Sequence, residues 1–261
     1  MAPVSPRFVI IVNTKKVVIL GSGVAGLTAA LAAAEAGAAV QVIEQADFFG
    51  GTTALSGGIA WMPNNHLMEV NGVQDSNDDA LQYLREVVGG EANFQMLEVF
   101  VREARDSALW VEELTPLRWG PLPYPDYYPE RSGGRLGYRS LEPLGWPVPK
   151  DVARLVRSAP NVALPVSYGE LLAGMPSREE LLRRSEEGIL TMGRALIAGL
   201  FSAAVQRGVH FETGRRVTSL ADLPESSSVV LATGGFERNS DLCVEHMGRG
   251  IPGVTGAPGL E

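Results

Sequence analysis

The chain has 261 residues, 45% of them hydrophobic and 20% charged, which is a globular composition with ample apolar mass for one large domain or two small ones. It carries 22 basic and 30 acidic side chains, a net charge of −8, with no basic patch, so nucleic acid is excluded as a partner class. No apolar run reaches the length of a membrane span.

Residues 1–14 read as a loose N-terminal extension whose only apolar run, Phe8–Val12, is too short for a signal core and runs into Lys15 and Lys16. Val17-Val18-Ile19-Leu20 is a continuous apolar run, as in a parallel strand covered on both faces. Gly21, Gly23 and Gly26 follow at GxGxxG spacing. The first glycine permits a sharp turn, the second lets a pyrophosphate approach the backbone, and the third lets the following helix pack close to the strand. Leu27–Ala36 is almost entirely Ala and Leu, a buried helix that Gly37 stops. Val40–Ile43 is a second strand ended by Glu44, about 20 residues past the glycines, where an acid can bond a ribose hydroxyl. Strand, glycine turn, helix, strand and acid in this order predict a dinucleotide site. The helix N-terminus faces the phosphates.

A second glycine cluster, Gly50-Gly51-Thr52-Thr53-Ala54-Leu55-Ser56-Gly57-Gly58, follows the acid. A nicotinamide site has no need of it, whereas the long flavin half of FAD runs past further amide and hydroxyl donors. Asn77-Asp78-Asp79 opens a helix through Val88 that Gly89-Gly90 breaks. A longer helix is predicted over Ala92–Glu113, with Phe94, Leu97, Val101, Ala104, Ala108 and Val111 as its core stripe. Thr115–Pro149, rich in Pro, Gly and aromatics, reads as an ordered irregular loop. Arg178–Gly188 and Thr191–Arg207 read as helices, the second stopped by Gly208 and followed by a strand at Val209–Glu212. Val229–Leu231 is a further strand that runs into Ala232-Thr233-Gly234-Gly235, small residues suited to abut a cofactor.

The loop Trp119–Tyr128 holds Tyr124, Tyr127 and Tyr128, clustered with Pro121, Pro123, Pro125 and the adjoining Pro129. Prolines hold phenols in place at low entropic cost, and a phenol can donate to a ketone oxygen or pass a proton. Each of the three tyrosines is a candidate for such chemistry. His66 and His210 read as structural, and no Cys/His/acid cluster has metal-ligand spacing. The single cysteine, Cys243, cannot form an internal disulfide, which predicts a reducing, cytoplasmic setting.

GSGVAG, VIEQ, GGTTALSGG and VVLATGGFERN together resemble the flavoprotein superfamily of fumarate reductase and succinate dehydrogenase flavoprotein subunits. Within it, GGTTALSGGIAWMPNN, YPDYYPERSGG and SLEP resemble the 3-ketosteroid dehydrogenases, especially the 1-dehydrogenase type. The resemblance covers about residues 15 to 240. It implies an α/β fold, a Rossmann-like FAD-binding domain with a parallel sheet over 15–247 and a helical and irregular insertion at about 62–189. Residues 248–261 read as a tail. The cofactor set it implies is Gly21, Ser22, Gly23, Val24, Ala25, Gly26, Glu44, Gln45, Gly51, Thr52, Thr53, Ser56, Gly57, Gly58, Val217, Ala232, Thr233 and Gly234. It also implies a small hydrophobic, steroid-like ketone as substrate and an electron acceptor. In such enzymes a tyrosine on a loop like this one removes a proton next to the ketone while flavin takes hydride from the neighbouring carbon; the resemblance implies Tyr124 as the first match for that role and Tyr127 as the second.

Family members are longer, with a substrate-capping domain after the ATGGF element, so a second chain supplying that cap is one expectation. Three readings follow: a ketosteroid-type dehydrogenase completed by another chain, a fumarate-type reductase, or a truncated FAD-binding fragment without catalysis.

Overall fold

The computed structural model describes residues 15–247 except 91, 225–226 and 237–238. The expected extension and tail lie outside the described residues. β1 (Lys16–Leu20) is the central strand, with Val18, Ile19 and Leu20 buried. The chain crosses through α1 (Val24–Glu35) to β2 (Ala39–Ile43), parallel to β1 from Lys16↔Ala39 to Leu20↔Ile43. The helix begins at Val24, three residues before the alanine run suggests, because Gly23 is extended (ψ 179°) and serves as its N-cap. Gly37 ends that unit with φ +80°, as its position predicts.

The chain then leaves the sheet. β3 (Ala60–Trp61), α2 (His66–Val70), α3 (Asn77–Val88) and α4 (Phe94–Leu114) follow. Ser76 caps α3 and Asn93 caps α4, each side chain accepting a first-turn amide. The α4 stripe is buried at Val101, Ala104, Ala108 and Val111, but Phe94 and Leu97 are only half-buried. The segment expected as an irregular loop instead contains β4 (Trp119–Pro121), β5 (Ser140–Pro143) and β6 (Trp146–Pro147). β3, β5 and β4 form a small antiparallel sheet in that order. The strand signal is masked because prolines and Gly120 occupy these short strands; Pro121 is on the edge strand β4, where a missing donor is tolerated.

After α5 (Lys150–Ala153), α6 (Tyr168–Ala173) and α7 (Arg178–Glu186), the two-residue β7 (Ile189–Leu190) pairs with β6. The chain then returns to the main sheet through α8 (Met192–Gln206) and β8 (His210–Glu212). α8 is buried almost all round, as its composition dictates, and packs on α1. Ile197, Leu200 and Phe201 meet Leu27, Leu31 and Phe49 in the largest core cluster. β9 (Ser228–Leu231) pairs with the free side of β1, giving a four-stranded sheet, β8-β2-β1-β9, parallel throughout. α9 (Ser240–Met247) closes the described chain and buries Cys243. Among the described residues no helix is long and apolar enough to cross a membrane.

Candidate cofactor-binding site

All four sheet strands run parallel, so the turns after β1, β2, β8 and β9 gather at one edge of the sheet. In open α/β sheets this carboxyl edge is where ligands bind. A cleft of about 570 Å³ lies there. Gly21 makes the turn after β1 with φ +103°, and a Cβ on it would stand 2.3 Å from the Ala232 carbonyl oxygen that follows β9. A Cβ on Gly26 would stand 2.0 Å from the Gly21 carbonyl oxygen, so helix and turn are in direct backbone contact. Gly23 is open: a Cβ there would meet only Thr53 Oγ1, at 3.8 Å. α1 starts with no side-chain cap and no acid in its first turn, which leaves its positive end facing the cleft. Thr53 Oγ1 accepts the Val24 amide at 3.3 Å and ties the second glycine cluster to this turn.

Glu44, 7% exposed, ends β2 at the cleft wall. Its Oε2 accepts the Ser22 amide (3.0 Å) and the Ser22 hydroxyl (2.5 Å), and its Oε1 accepts the Ala46 amide (2.9 Å). Ser22 Oγ in turn accepts the Gly50 amide at 3.0 Å. A carboxylate offers about four acceptor positions, so Glu44 retains capacity for a hydroxyl donor from the cleft. The Ser22 side chain is fully buried in this relay; it joins the two glycine clusters through Glu44.

Of the residues expected from sequence, Gly21, Ser22, Gly23, Val24, Ala25, Glu44, Gln45, Gly51, Thr52, Thr53, Val217, Ala232, Thr233 and Gly234 line the cleft together. Gly26, Ser56, Gly57 and Gly58 do not. Gly26 lies behind the turn, where it permits the helix–strand contact. Ser56 Oγ donates to the Thr53 carbonyl and accepts the Gly58 amide, closing its own turn. Gly58 (φ +68°) abuts the backbone of Met192 and Gly193, and Gly57 packs against the Ile59 side chain, with Tyr168 beyond it. The second cluster is thus half cleft wall and half seat for α8. Arg157 and Arg215, which sequence reasoning missed, also line the cleft. Arg215 follows β8, and only the strand order brings that turn beside Glu44, whose carbonyl accepts the Arg215 amide at 3.1 Å.

The tyrosine loop stands apart from this cleft. Tyr124 is half-buried, its ring edge-on to Tyr168 at 6.1 Å. Tyr127 is 87% exposed, yet the backbone on both sides of it is held. Asp126 donates its amide to the Arg135 carbonyl (3.0 Å), and the Tyr128 amide donates to Tyr83 Oη (3.3 Å). The Asp126 carboxylate is buried and accepts from Trp61 Nε1 (2.7 Å), the Arg135 amide (2.9 Å) and Arg139 Nη1 (2.8 Å). Arg139, 1% exposed, also clamps Asp75 through Nε (2.8 Å) and Nη2 (2.7 Å) and lies over the Trp61 ring at 5.4 Å. Burial opposes the Arg139 charge, but Asp75 and Asp126 outweigh it and hold its pKa above the usual value. His66 Nε2 lies 3.0 Å from Glu112 Oε2, a local pairing away from the cleft. Among the described residues no His/Cys/Asp/Glu group could hold a metal ion.

The FAD binding domain family matches residues 16–259. The chain belongs to this family. Its cofactor is FAD. The chain is 32% identical to a 3-oxosteroid 1-dehydrogenase from Mycobacterium tuberculosis, over 92% of this chain and 50% of that protein. It is 34% identical to a 4-oxocyclohexanecarboxylate 2-dehydrogenase from Sinomonas cyclohexanicum, over 88% of this chain and 45% of that protein. A 3-ketosteroid delta1-dehydrogenase from Sterolibacterium denitrificans superposes with a TM-score of 0.76 at 27% identity, over 90% of this chain and 50% of that one. The chain spans about half the length of the curated relatives it matches. The residues present fit FAD. The open cradle at Gly23, the uncapped start of α1 and the spare acceptor capacity of Glu44 are the features a pyrophosphate and an adenosine ribose require.

Proposed function

We propose that this chain is the FAD-binding part of a dehydrogenase that desaturates a carbon pair next to a ring ketone, with a 3-oxosteroid-like substrate. The observation that carries this reading is the cleft. Its glycine turn, acid at the end of β2 and second glycine wall occur together in a chain that is similar along most of its length to a 3-oxosteroid 1-dehydrogenase and a 4-oxocyclohexanecarboxylate 2-dehydrogenase. Gly21 to Ala25 would hold the pyrophosphate, Glu44 the adenosine ribose, and Gly51 to Thr53 the chain toward the flavin. When bound, FAD supplies the acceptor for a hydride leaving the carbon beside the activated position.

Tyr127 is the phenol we assign to the substrate, in preference to Tyr124. Tyr124 is packed against Tyr168, whereas Tyr127 projects from backbone that hydrogen bonds fix on either side. A free phenol on a rigid loop loses little entropy when it meets a ligand. Its oxygen would hold or move the proton released from the carbon next to the ketone. A separate electron acceptor completes the reading. The test is dye-coupled oxidation of a 3-oxosteroid and of 4-oxocyclohexanecarboxylate by the FAD-loaded protein. Tyr127→Phe should lower turnover by about 10²-fold or more while leaving the flavin absorbance intact. Unchanged turnover would remove Tyr127 from the site, and reduction of dye with neither ketone would remove the substrate class.

A further inference from the structure

Arg157 lines the cleft although it lies more than a hundred residues from the glycine turn. A short parallel bridge between Phe49 and Val156 brings it there. The Phe49 amide donates to the Leu155 carbonyl and the Arg157 amide donates to the Phe49 carbonyl, each at 2.9 Å. Residue 157 is therefore fixed by backbone to the segment that runs into Gly50 and Gly51. Gly51 in turn stands against the phosphate turn: a Cβ on it would be 3.8 Å from the Gly23 Cα.

The two arginines of the cleft differ in one respect. Arg215 is already engaged, with Nη1 on Glu212 Oε2 at 2.9 Å and Nη2 on the Asp222 carbonyl at 3.1 Å. The half-buried Arg157 guanidinium has no acceptor among the described residues. A pyrophosphate is doubly charged, and a helix N-terminus offsets only about half a unit charge. One of the α1 amides, that of Val24, is already taken by Thr53. A cation is the missing part of this site, and an arginine fork matches phosphate oxygens in shape and charge.

We infer that Arg157 is a phosphate clamp: its guanidinium binds the diphosphate of the dinucleotide held over Gly23 and Gly51. The inference rests on the cleft being a dinucleotide site, and it predicts a dependence on phosphate rather than on flavin. Titration of the apo-protein with FAD, ADP and riboflavin separates the two. Arg157→Gln should weaken FAD and ADP alike by about ten- to a hundredfold, the span of one lost charge-assisted hydrogen bond or ion pair, and leave riboflavin unchanged. Arg157→Lys, which keeps the charge but not the fork, should recover part of the loss and confirm that folding is unaffected. Unaltered FAD and ADP affinity in Arg157→Gln would overturn the assignment. An equal loss for riboflavin would also overturn it, since that is the mark of a general structural effect. Binding of ADP through Arg157 without binding of FAD would overturn the flavin reading and leave the clamp standing.

Discussion

Replacing Arg139 with methionine is expected to destabilise the fold by about 3–5 kcal/mol, the range for breaking a buried charge cluster by removing one partner. Arg139 neutralises Asp75 and Asp126, whose side chains are 0% and 2% exposed. Without it, two carboxylates stay buried with opposite charge only from the Arg135 guanidinium, which reaches Asp75 Oδ1 at 3.4 Å. The loss should appear as a lower urea midpoint at an unchanged slope. The triple change Arg139→Met with Asp75→Asn and Asp126→Asn should restore a large part of it, because the uncompensated charges go as well. The damage should also reach Tyr127, since Asp126 anchors its loop to Trp61, so the protease sensitivity of residues 124–135 should rise. A loss below about 1 kcal/mol would mean that the cluster is no more than a solvated ion pair.

Gly26→Val is the second large effect expected. The Gly26 site has no room, with the Gly21 carbonyl oxygen 2.0 Å from where a Cβ would stand and the Ala232 methyl at 3.4 Å. The helix must move off the turn, at a cost of about 3 kcal/mol. That movement opens the phosphate cradle itself, so FAD retention should be lost even where the protein stays folded. Far-ultraviolet circular dichroism and flavin absorbance of the same sample would separate the two effects. A folded Gly26→Val protein that keeps its flavin would show that the helix start is not what holds the phosphates.

The parts of the site that sequence made legible are local ones. Val17 to Glu44 is a single strand–turn–helix–strand unit, and its helix, its second strand and Glu44 find partners inside that unit. The same holds for α3 and α4, whose caps and apolar spacing are short-range signals, and for α8, whose signal is its continuous apolar composition. The parts that stayed hidden depend on distant pairing. Arg157 reaches the cleft through the Phe49–Val156 bridge and Arg215 through the pairing of β8 with β2, and neither has a signal in its own surroundings. β4 and β5 were concealed by their prolines and by Gly120, and all four residues of β5 are buried, so the strand carries no apolar–polar alternation. Ser56, Gly57 and Gly58 share the composition of a cofactor loop because seating α8 needs the same freedom of backbone: Gly58 has φ +68° and Gly193 nearly touches the Thr53 carbonyl. Composition alone cannot separate those two demands.

The central claim is that the edge of the sheet between Gly21 and Gly234 is an FAD site. Its most direct test is equilibrium titration of the purified apo-protein with FAD, followed by flavin fluorescence with ADP as competitor. The account predicts saturation at one equivalent, a yellow protein that survives gel filtration, and displacement of FAD by excess ADP. A colourless protein after reconstitution, or flavin uptake that ADP does not affect, would contradict it.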